Sequence, residues 1–173
     1  MIEELTGTAI EAAIPDLAAT LHCCVDAGAS VGFVLPFSLG EAEEFWLGLV
    51  PQFRSGARRL LAARQDGKVV GTVQLSLATP PNGRHRAEIN KLLVHPAARR
   101  HGLARRLMLA AEALAQAERR SLLILDTILD AAGYRLYRSL GFEPAGIVPD
   151  YALSTAGALE PTCFMYKRLD PLA

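Results

Sequence analysis

The residues with the clearest chemical character lie between two apolar segments in the middle of the chain. An apolar strand ends at Val94, and a short basic loop then leads into a helix that opens on small residues. No acidic residue lies between His95 and Glu112. Helix starts carry partial positive charge and normally attract Asp or Glu. Here basic residues crowd the helix start instead, which predicts an anion site with phosphate as the usual ligand: Arg99, Arg100, His101, Arg105 and Arg106.

Two small residues strengthen this prediction. Gly102 and Ala104 let main-chain N–H groups approach phosphate oxygens closely. The alternative is an ordinary surface helix with a solvated basic face. The sequence contains neither a GxGxxG fingerprint nor a glycine-rich loop ending in Gly-Lys-Ser/Thr, so neither a dinucleotide fold nor a P-loop nucleotidase is predicted.

Two acidic residues are candidates for acid–base chemistry. Glu88 lies in an otherwise apolar strand before the basic loop, and Asp126 ends a later apolar run. Acids at the carboxyl ends of central strands face the ligand crevice of open α/β sheets. Simpler roles stay open, because Glu88 could pair with Lys91 or Arg86 and Asp126 could cap the following turn through Thr127.

Four segments together resemble the GNAT superfamily of N-acetyltransferases. The loop 99–104 is similar to the family's Arg/Gln-x-x-Gly-x-Gly/Ala signature, which holds the pyrophosphate of acetyl-CoA. Segments 71–75 and 87–94 resemble its two central strands, and 136–142 resembles its Leu-Tyr-x-x-Leu-Gly-Phe helix end. The resemblance implies a mixed α+β fold with a central, mostly antiparallel sheet, splayed at the strand that binds acetyl-CoA, and helices on both faces.

The same resemblance implies roles for individual residues in acetyl transfer. Glu88 and Asp126 become bases that act through water, with Glu88 first, and Tyr137 becomes the acid that protonates the CoA thiolate. Tyr137 could otherwise be only a core aromatic residue. Acetyl-CoA is the implied co-substrate, and its implied contacts are Leu92, Leu93, Val94, Arg99, Arg100, His101, Gly102, Leu103, Ala104 and Arg105.

The resemblance also implies a role for one backbone N–H group, and the chain departs from the family pattern at one position. A backbone N–H near Leu93 is the implied donor to the thioester carbonyl, where negative charge develops. Many members carry Asn where this chain has Asp130. Because a carboxylate cannot donate the amide hydrogen bonds, Asp130 is not included among the contacts to CoA.

A narrower resemblance, from about residue 28 to the C-terminus, is to the tabtoxin-resistance acetyltransferases. It rests on segments 28–33, 87–94 and 125–127 and on the Gly-x-x-Pro-x-Tyr run that ends at Tyr151. It implies a small, amino-acid-like amine as substrate, with tabtoxinine-β-lactam the specific candidate.

We expect two loops, 29–33 and 154–161, to form the acceptor pocket. The second loop carries one charged residue, so it offers no acidic track for a basic protein tail. Arg84 or Arg86 could anchor a substrate carboxylate, and both could equally face solvent.

Composition indicates one N-acetyltransferase domain over residues 1–173. The chain is 51% hydrophobic and carries 18 basic and 18 acidic side chains, so its net charge is zero. This disfavours a general nucleic-acid or membrane-surface binder, and no apolar run approaches membrane length. The three cysteines suit a reducing compartment and lack zinc spacing. We therefore expect a cytoplasmic protein with no metal and no nucleic-acid or membrane partner, and a homodimer is left open.

Hydrophobic periodicity and turn residues place these groups on secondary-structure elements. The predicted elements are a strand at 1–6, helices at 9–26 and 40–54, a hairpin of 59–64 with 68–77, a strand at 86–94, a helix to about 119, a strand at 121–126, a helix at 131–140, and strands at 147–153 and 162–169.

A second function class also fits the basic loop. A non-catalytic acyl-CoA-binding module would keep the phosphate site and lack turnover. The joint presence of Glu88, Asp126 and Tyr137 favours the enzyme.

Overall fold

The computed structural model describes residues 1–170, which form seven strands and four helices. Two short 3-10 turns, 81–83 and 96–98, precede β4 and α3. In chain order the elements are β1 (Ile2–Leu5), α1 (Thr8–Asp26), α2 (Leu39–Arg54), β2 (Arg58–Gln65), β3 (Lys68–Ser76), β4 (Arg86–Val94), α3 (Leu103–Ala117), β5 (Leu122–Ile128), α4 (Ala132–Ser139), β6 (Glu143–Leu153) and β7 (Leu159–Arg168).

One mixed sheet runs through all of these strands in the order β1-β2-β3-β4-β5-β7-β6. Every neighbouring pair is antiparallel except β4 and β5, which are parallel. These two strands pair only through 86–88 with 122–124, and each continues beyond that point. The sheet is therefore splayed beyond Glu88, and the predicted α+β fold is confirmed.

Helices cover both faces because each presents one apolar stripe to the sheet. On one face α1 and α2 pack with each other and with β2 and β3, and Leu17, Leu21 and Trp46 are fully buried there. On the opposite face, Leu107 of α3 and Tyr137 of α4 belong to a second apolar cluster. The two clusters fix the sheet between the two helix pairs.

Helix α1 is a long apolar helix at the N-terminal end. By length and composition it passes the test for a membrane span, so the expectation that no apolar run approaches that length is wrong. Half of its most apolar stretch is buried inside the protein, against the sheet and α2. These contacts are those of a core helix.

Three predicted strand boundaries are wrong. Strand β5 continues to Ile128, so Asp126 lies inside it, opposite Phe164 of β7, and does not end it. The predicted loop 154–161 shrinks to the turn 154–158, because β7 already begins at Leu159. Strand β6 begins at Glu143 and not at the predicted residue 147. Its two prolines interrupt the alternating pattern from which a strand is predicted, but they are tolerated because β6 lies at the edge of the sheet.

Candidate active site

The two candidate acids lie on the same face of the sheet, near the point where β4 and β5 separate. Side chains of directly paired residues point to the same face, and so do residues two apart on one strand. Glu88 pairs with Ile124, and Asp126 follows Ile124 by two residues. α1 and α2 cover this face mainly over β2, β3 and β4. The face continues past them onto β5 and β7, where Asp126 is exposed.

A β-bulge in β4 separates these acids from the basic loop. Three steps of β4, from Asn90 to Leu93, lie opposite two steps of β3, from Gln74 to Thr72. Lys91 sits in the bulge with a positive φ of 48°, and the Thr72 hydroxyl donates to its carbonyl at 2.9 Å. Because a bulge shifts the alternation of side chains, Leu93 joins the α1–α2 core instead of the α3 core.

Beyond Glu88, the edge of β4 that faces β5 has no strand partner among residues 1–170. Leu93 is paired with β3 on the opposite edge. An extended ligand can add to such an edge by main-chain hydrogen bonds. The predicted pantetheine contacts, Leu92, Leu93 and Val94, all lie on this segment.

Lys91 is the main charged residue of the site that the sequence analysis did not assign. Its Nζ donates to the Val31 carbonyl at 2.7 Å and lies 5.5 Å from the ring centre of Phe33 and 5.3 Å from that of Phe45. Burial, followed by the nearby Arg58 charge, lowers the pKa of Lys91, while the charges of Asp126 and Glu88 oppose that change.

The simple ion pair considered for Glu88 is not formed. Neither Lys91 nor Arg86 makes a salt bridge with it within the described part of the chain. Arg86 instead packs against Gly83, where an added Cβ would lie 2.9 Å from the guanidinium carbon. Arg84 is exposed and precedes β4, and its carbonyl accepts a hydrogen bond from Arg120.

Asp126 combines solvent access with partial desolvation. Partial burial of the Asp126 carboxyl raises its pKa, and the nearby positive charge of Lys91 opposes part of that rise. The alternative role for Asp126 as a turn cap is wrong, because the residue lies within paired β5. A carboxylate with a raised pKa is a stronger base than an ordinary surface acid.

Tyr137 is buried on α4, with 8% of its surface exposed, and its ring lies 5.8 Å from that of Phe142. Burial, and then the charge of Asp126, raises the pKa of its phenol well above the usual value. The phenol is thus protonated at neutral pH. α4 approaches β5 closely because Gly133 has no side chain; an added Cβ would lie 3.3 Å from the Thr127 hydroxyl.

The basic loop has the backbone geometry predicted for an anion site. Gly102 adopts a left-handed conformation with φ 71°, and an added Cβ there would meet nothing within 4 Å. The first bond of α3 runs from Arg106 N–H to the Gly102 carbonyl. The N–H groups of the three preceding positions, 103–105, have no acceptor within residues 1–170, and no acidic residue lies in the first turn.

The predicted phosphate contacts differ in what their side chains do. Arg99 Nε donates to the Val94 carbonyl at 3.1 Å, and Arg105 donates to the Ser139 hydroxyl at 2.6 Å. Leu103 packs into the core. The side chains of Arg100 and His101 are exposed beside the uncapped helix start.

A hydrogen bond joins the α1–α2 loop to the β6–β7 turn. The Leu35 N–H, between α1 and α2, donates to the Thr155 carbonyl in the β6–β7 turn at 2.9 Å. The first loop lies on the side of β4 and the turn on the side of β7, so the hydrogen bond crosses between them. Tyr151 of β6 and Phe164 of β7 pack against each other with ring centres 5.3 Å apart, and Phe164 pairs with Asp126.

Other features lie outside this site. Across residues 1–170, no group of three or more His, Cys, Asp or Glu side chains is arranged to hold a metal. A groove of about 530 Å³ between the outer surfaces of α1 and α2 is lined by Glu11, Leu47 and Arg54, and contains none of the residues above.

Comparison with known proteins identifies the family. The acetyltransferase (GNAT) family model matches residues 29–142. An uncharacterized N-acetyltransferase from the hisH–hisA intergenic region of Azospirillum brasilense is 36% identical over 115 residues, which span 64% of this chain and 66% of that protein.

Solved structures share the fold over nearly the whole chain. The ribosomal-protein-alanine N-acetyltransferase of Brucella melitensis is 27% identical, with a TM-score of 0.80 over 98% of this chain and 99% of its own. The Salmonella typhimurium protein yncA, whose structure contains its cofactor acetyl-CoA, is 19% identical, with a TM-score of 0.78 over 100% of this chain and 95% of its own. The chain belongs to the acetyltransferase (GNAT) family, the acetyl-CoA-dependent N-acetyltransferases that its sequence predicts.

Proposed function

We propose that this chain transfers the acetyl group of acetyl-CoA to the primary amine of a small molecule by direct attack in a ternary complex. The observation that carries the proposal is that Glu88 and Asp126 share one face of the sheet where β4 and β5 separate. Tyr137 lies on α4, which packs against β5, and it is close enough to Asp126 to feel its charge. The gap between β4 and β5 leads to the uncapped start of α3, where backbone N–H groups are available for phosphate.

The directions in which the pKa values of Asp126 and Tyr137 are shifted suit this reaction. An alkylammonium has a pKa of about 10.4 and must lose a proton before it can attack. Glu88 and Asp126 accept that proton through water, and the raised pKa of Asp126 favours this role. Acetyl-CoA supplies the activated acyl carbon. The amine nitrogen bonds to that carbon and gives up its second N–H proton to the same water-linked carboxylates as the C–S bond breaks. Tyr137 gives its proton to the leaving thiolate and is reprotonated from solvent.

Binding of acetyl-CoA is assigned to the backbone more than to side chains. The unpaired β4 edge at Leu92–Val94 would hold pantetheine, and the helix start at Gly102 would hold pyrophosphate. A main-chain N–H near Leu93 would donate to the thioester oxygen as negative charge develops. Such a donor contributes about 3 kcal/mol in the transition state.

The acceptor is proposed to be compact and amino-acid-like. The Leu35–Thr155 hydrogen bond ties the α1–α2 loop to the β6–β7 turn, the two segments proposed to form the acceptor pocket, and the β6–β7 turn carries no charged residue. The resemblance to the tabtoxin-resistance acetyltransferases supports the same class, with tabtoxinine-β-lactam as one member. The main alternative is a peptide acceptor, because the Brucella melitensis protein, which has a similar fold, is named a ribosomal-protein-alanine N-acetyltransferase.

The test measures amine-dependent release of free thiol from acetyl-CoA. The panel contains free amino acids, β-lactam amines, polyamines, aminoglycosides, a histone-like peptide and a peptide that begins with alanine. We expect the highest kcat/KM for a small amino acid or its analogue. Faster acetylation of a peptide or an aminoglycoside would refute the substrate class, and acetyl-CoA binding without turnover of any amine would favour the non-catalytic module.

A further inference from the structure

One arginine in the site differs from the others by its partners. Arg58 begins β2 and pairs with Ser76, which pairs with Glu88. Its guanidinium is half-buried, yet it forms no salt bridge with any carboxylate of residues 1–170. By contrast, Arg54 and Arg59 each pair with at least one glutamate.

Two neutral amide oxygens hold the Arg58 guanidinium in place. Nη1 donates to Gln74 Oε1 at 2.6 Å, and Nε donates to Gln52 Oε1 at 3.1 Å. The Nη2 group has no acceptor within the described residues, and the fully buried Gln74 amide nitrogen beside it also has no partner. A partly desolvated cation that is held by neutral oxygens and makes no direct salt bridge favours an anion at its free N–H groups.

The position of Arg58 relative to Glu88 limits the size of that anion. The two residues are on strands separated by β3, so their Cα atoms are roughly 10 Å apart at the usual strand spacing. Both side chains lie on the same face, as the register requires. A small zwitterion fits this arrangement, with its amine near Glu88 and its carboxylate near Arg58.

We propose that Arg58 binds the carboxylate of the acceptor and thereby selects amino acids over simple amines. This inference rests on the proposed acetyl transfer and names the group that the acceptor must carry. It replaces the anchors suggested by the sequence, since Arg86 packs on Gly83 and Arg84 is exposed. Burial, opposed by the Glu88 charge, lowers the pKa of Arg58, as expected for a cation without a close counter-ion.

The test compares amines that differ only in the carboxylate: L-lysine with cadaverine, L-ornithine with putrescine, and L-alanine with alanine amide. We expect the wild-type protein to favour the carboxylate member by about tenfold to a hundredfold in kcat/KM, the range for a charge-assisted hydrogen bond. Arg58→Gln should remove most of this preference, with the larger loss on the carboxylate member. Arg54→Gln, which removes an exposed guanidinium from the end of α2, is the matched control.

Three outcomes would overturn the assignment. The wild type could show no preference, Arg86→Gln could remove it in place of Arg58→Gln, or Arg58→Gln could lower both members of each pair equally. The last result would mean that Arg58 acts through Glu88. Thermal unfolding and acetyl-CoA titration establish that each variant is folded, and Arg58→Lys, which keeps the charge, should retain part of the preference.

A binding measurement separates failure of this inference from failure of the proposed function. Calorimetric titration of the CoA complex with L-lysine and with cadaverine reports the carboxylate contact without turnover. If no amine is acetylated but L-lysine binding depends on Arg58, the proposed function is refuted and the anchor stands. If amines are acetylated and L-lysine binds wild type and Arg58→Gln equally, the anchor is refuted and the function stands.

Discussion

Gly102→Glu is expected to abolish stabilisation by acetyl-CoA while leaving the fold intact, with Gly102→Gln as the uncharged control. An added Cβ at Gly102 meets no atom within 4 Å, so neither side chain clashes with the protein. Both variants must adopt the left-handed conformation of φ 71°, at about 1–2 kcal/mol. For a chain of this length we expect both melting temperatures to fall by about 2–8 °C without ligand.

Without ligand, Gly102→Glu should be more stable than Gly102→Gln by about 0.3–1 kcal/mol, because a carboxylate is favourable at a helix start. The order should reverse when acetyl-CoA is present. At a ligand concentration of about 100 times Kd, binding stabilises the wild-type protein by about 2.7 kcal/mol. A carboxylate near the pyrophosphate repels it by about 1–3 kcal/mol, after allowance for solvent screening at this exposed position. A hundredfold rise in Kd would leave only about 0.4 kcal/mol of stabilisation in Gly102→Glu.

Differential scanning fluorimetry with and without acetyl-CoA, followed by calorimetric titration, measures both effects. Gly102→Gln should keep most of the ligand-induced shift, and high salt should reduce the difference between the two variants. Equal ligand-induced shifts in Gly102→Glu and Gly102→Gln would refute the phosphate site at this helix start.

Further predictions concern the reacting residues and the core. Tyr137→Phe should lower kcat with little change in acetyl-CoA affinity, and an unchanged kcat would remove the proposed acid. Glu88→Gln should alter the acidic limb of the kcat/KM profile; a profile that superimposes on the wild type would exclude Glu88 as a base. The pKa of Asp126 is raised on folding, so its charged form weakens the folded state above the folded pKa. Asp126→Asn should therefore increase the free energy of unfolding at pH 8 but not below the unfolded pKa of about 3.9, and equal effects at both pH values would contradict this. Trp46→Ala, at a fully buried position, should cost about 3–5 kcal/mol in urea denaturation, and a loss under 1 kcal/mol would indicate a loosely packed α2.

The parts of the site that depend on local sequence could be predicted. Strand β4 has the predicted bounds, since its apolar residues end at a proline and follow a loop rich in glycine and proline. The helix after Gly102 is predicted from the helical spacing of its apolar residues, and the anion site at its start from the basic and small residues there. These features require only neighbours along the chain, so they are visible without knowledge of the fold.

The residues that were missed depend on pairing between distant segments. Arg58 joins the site through two successive antiparallel registers, and Lys91 does so through a bulge and a contact with Val31. The end of β5 was misplaced because the pairing with β7, which reaches Thr162, continues past an exposed aspartate. No local pattern carries that information.

The short pairing between β4 and β5 has a consequence for motion. Only three residue pairs join these central strands. The two sides of the sheet are otherwise held together by contacts such as Lys167 with Glu112 and Arg105 with Ser139. The backbone N–H groups of β4 that lie beyond Glu88 and point to the open edge have no hydrogen bond to a neighbouring strand. They can therefore exchange with water without any strand pair on that side having to open first. A molecule that adds to this edge would complete the sheet. If acetyl-CoA binds there, as we propose, it serves as a transient structural element that couples the two halves during each turnover.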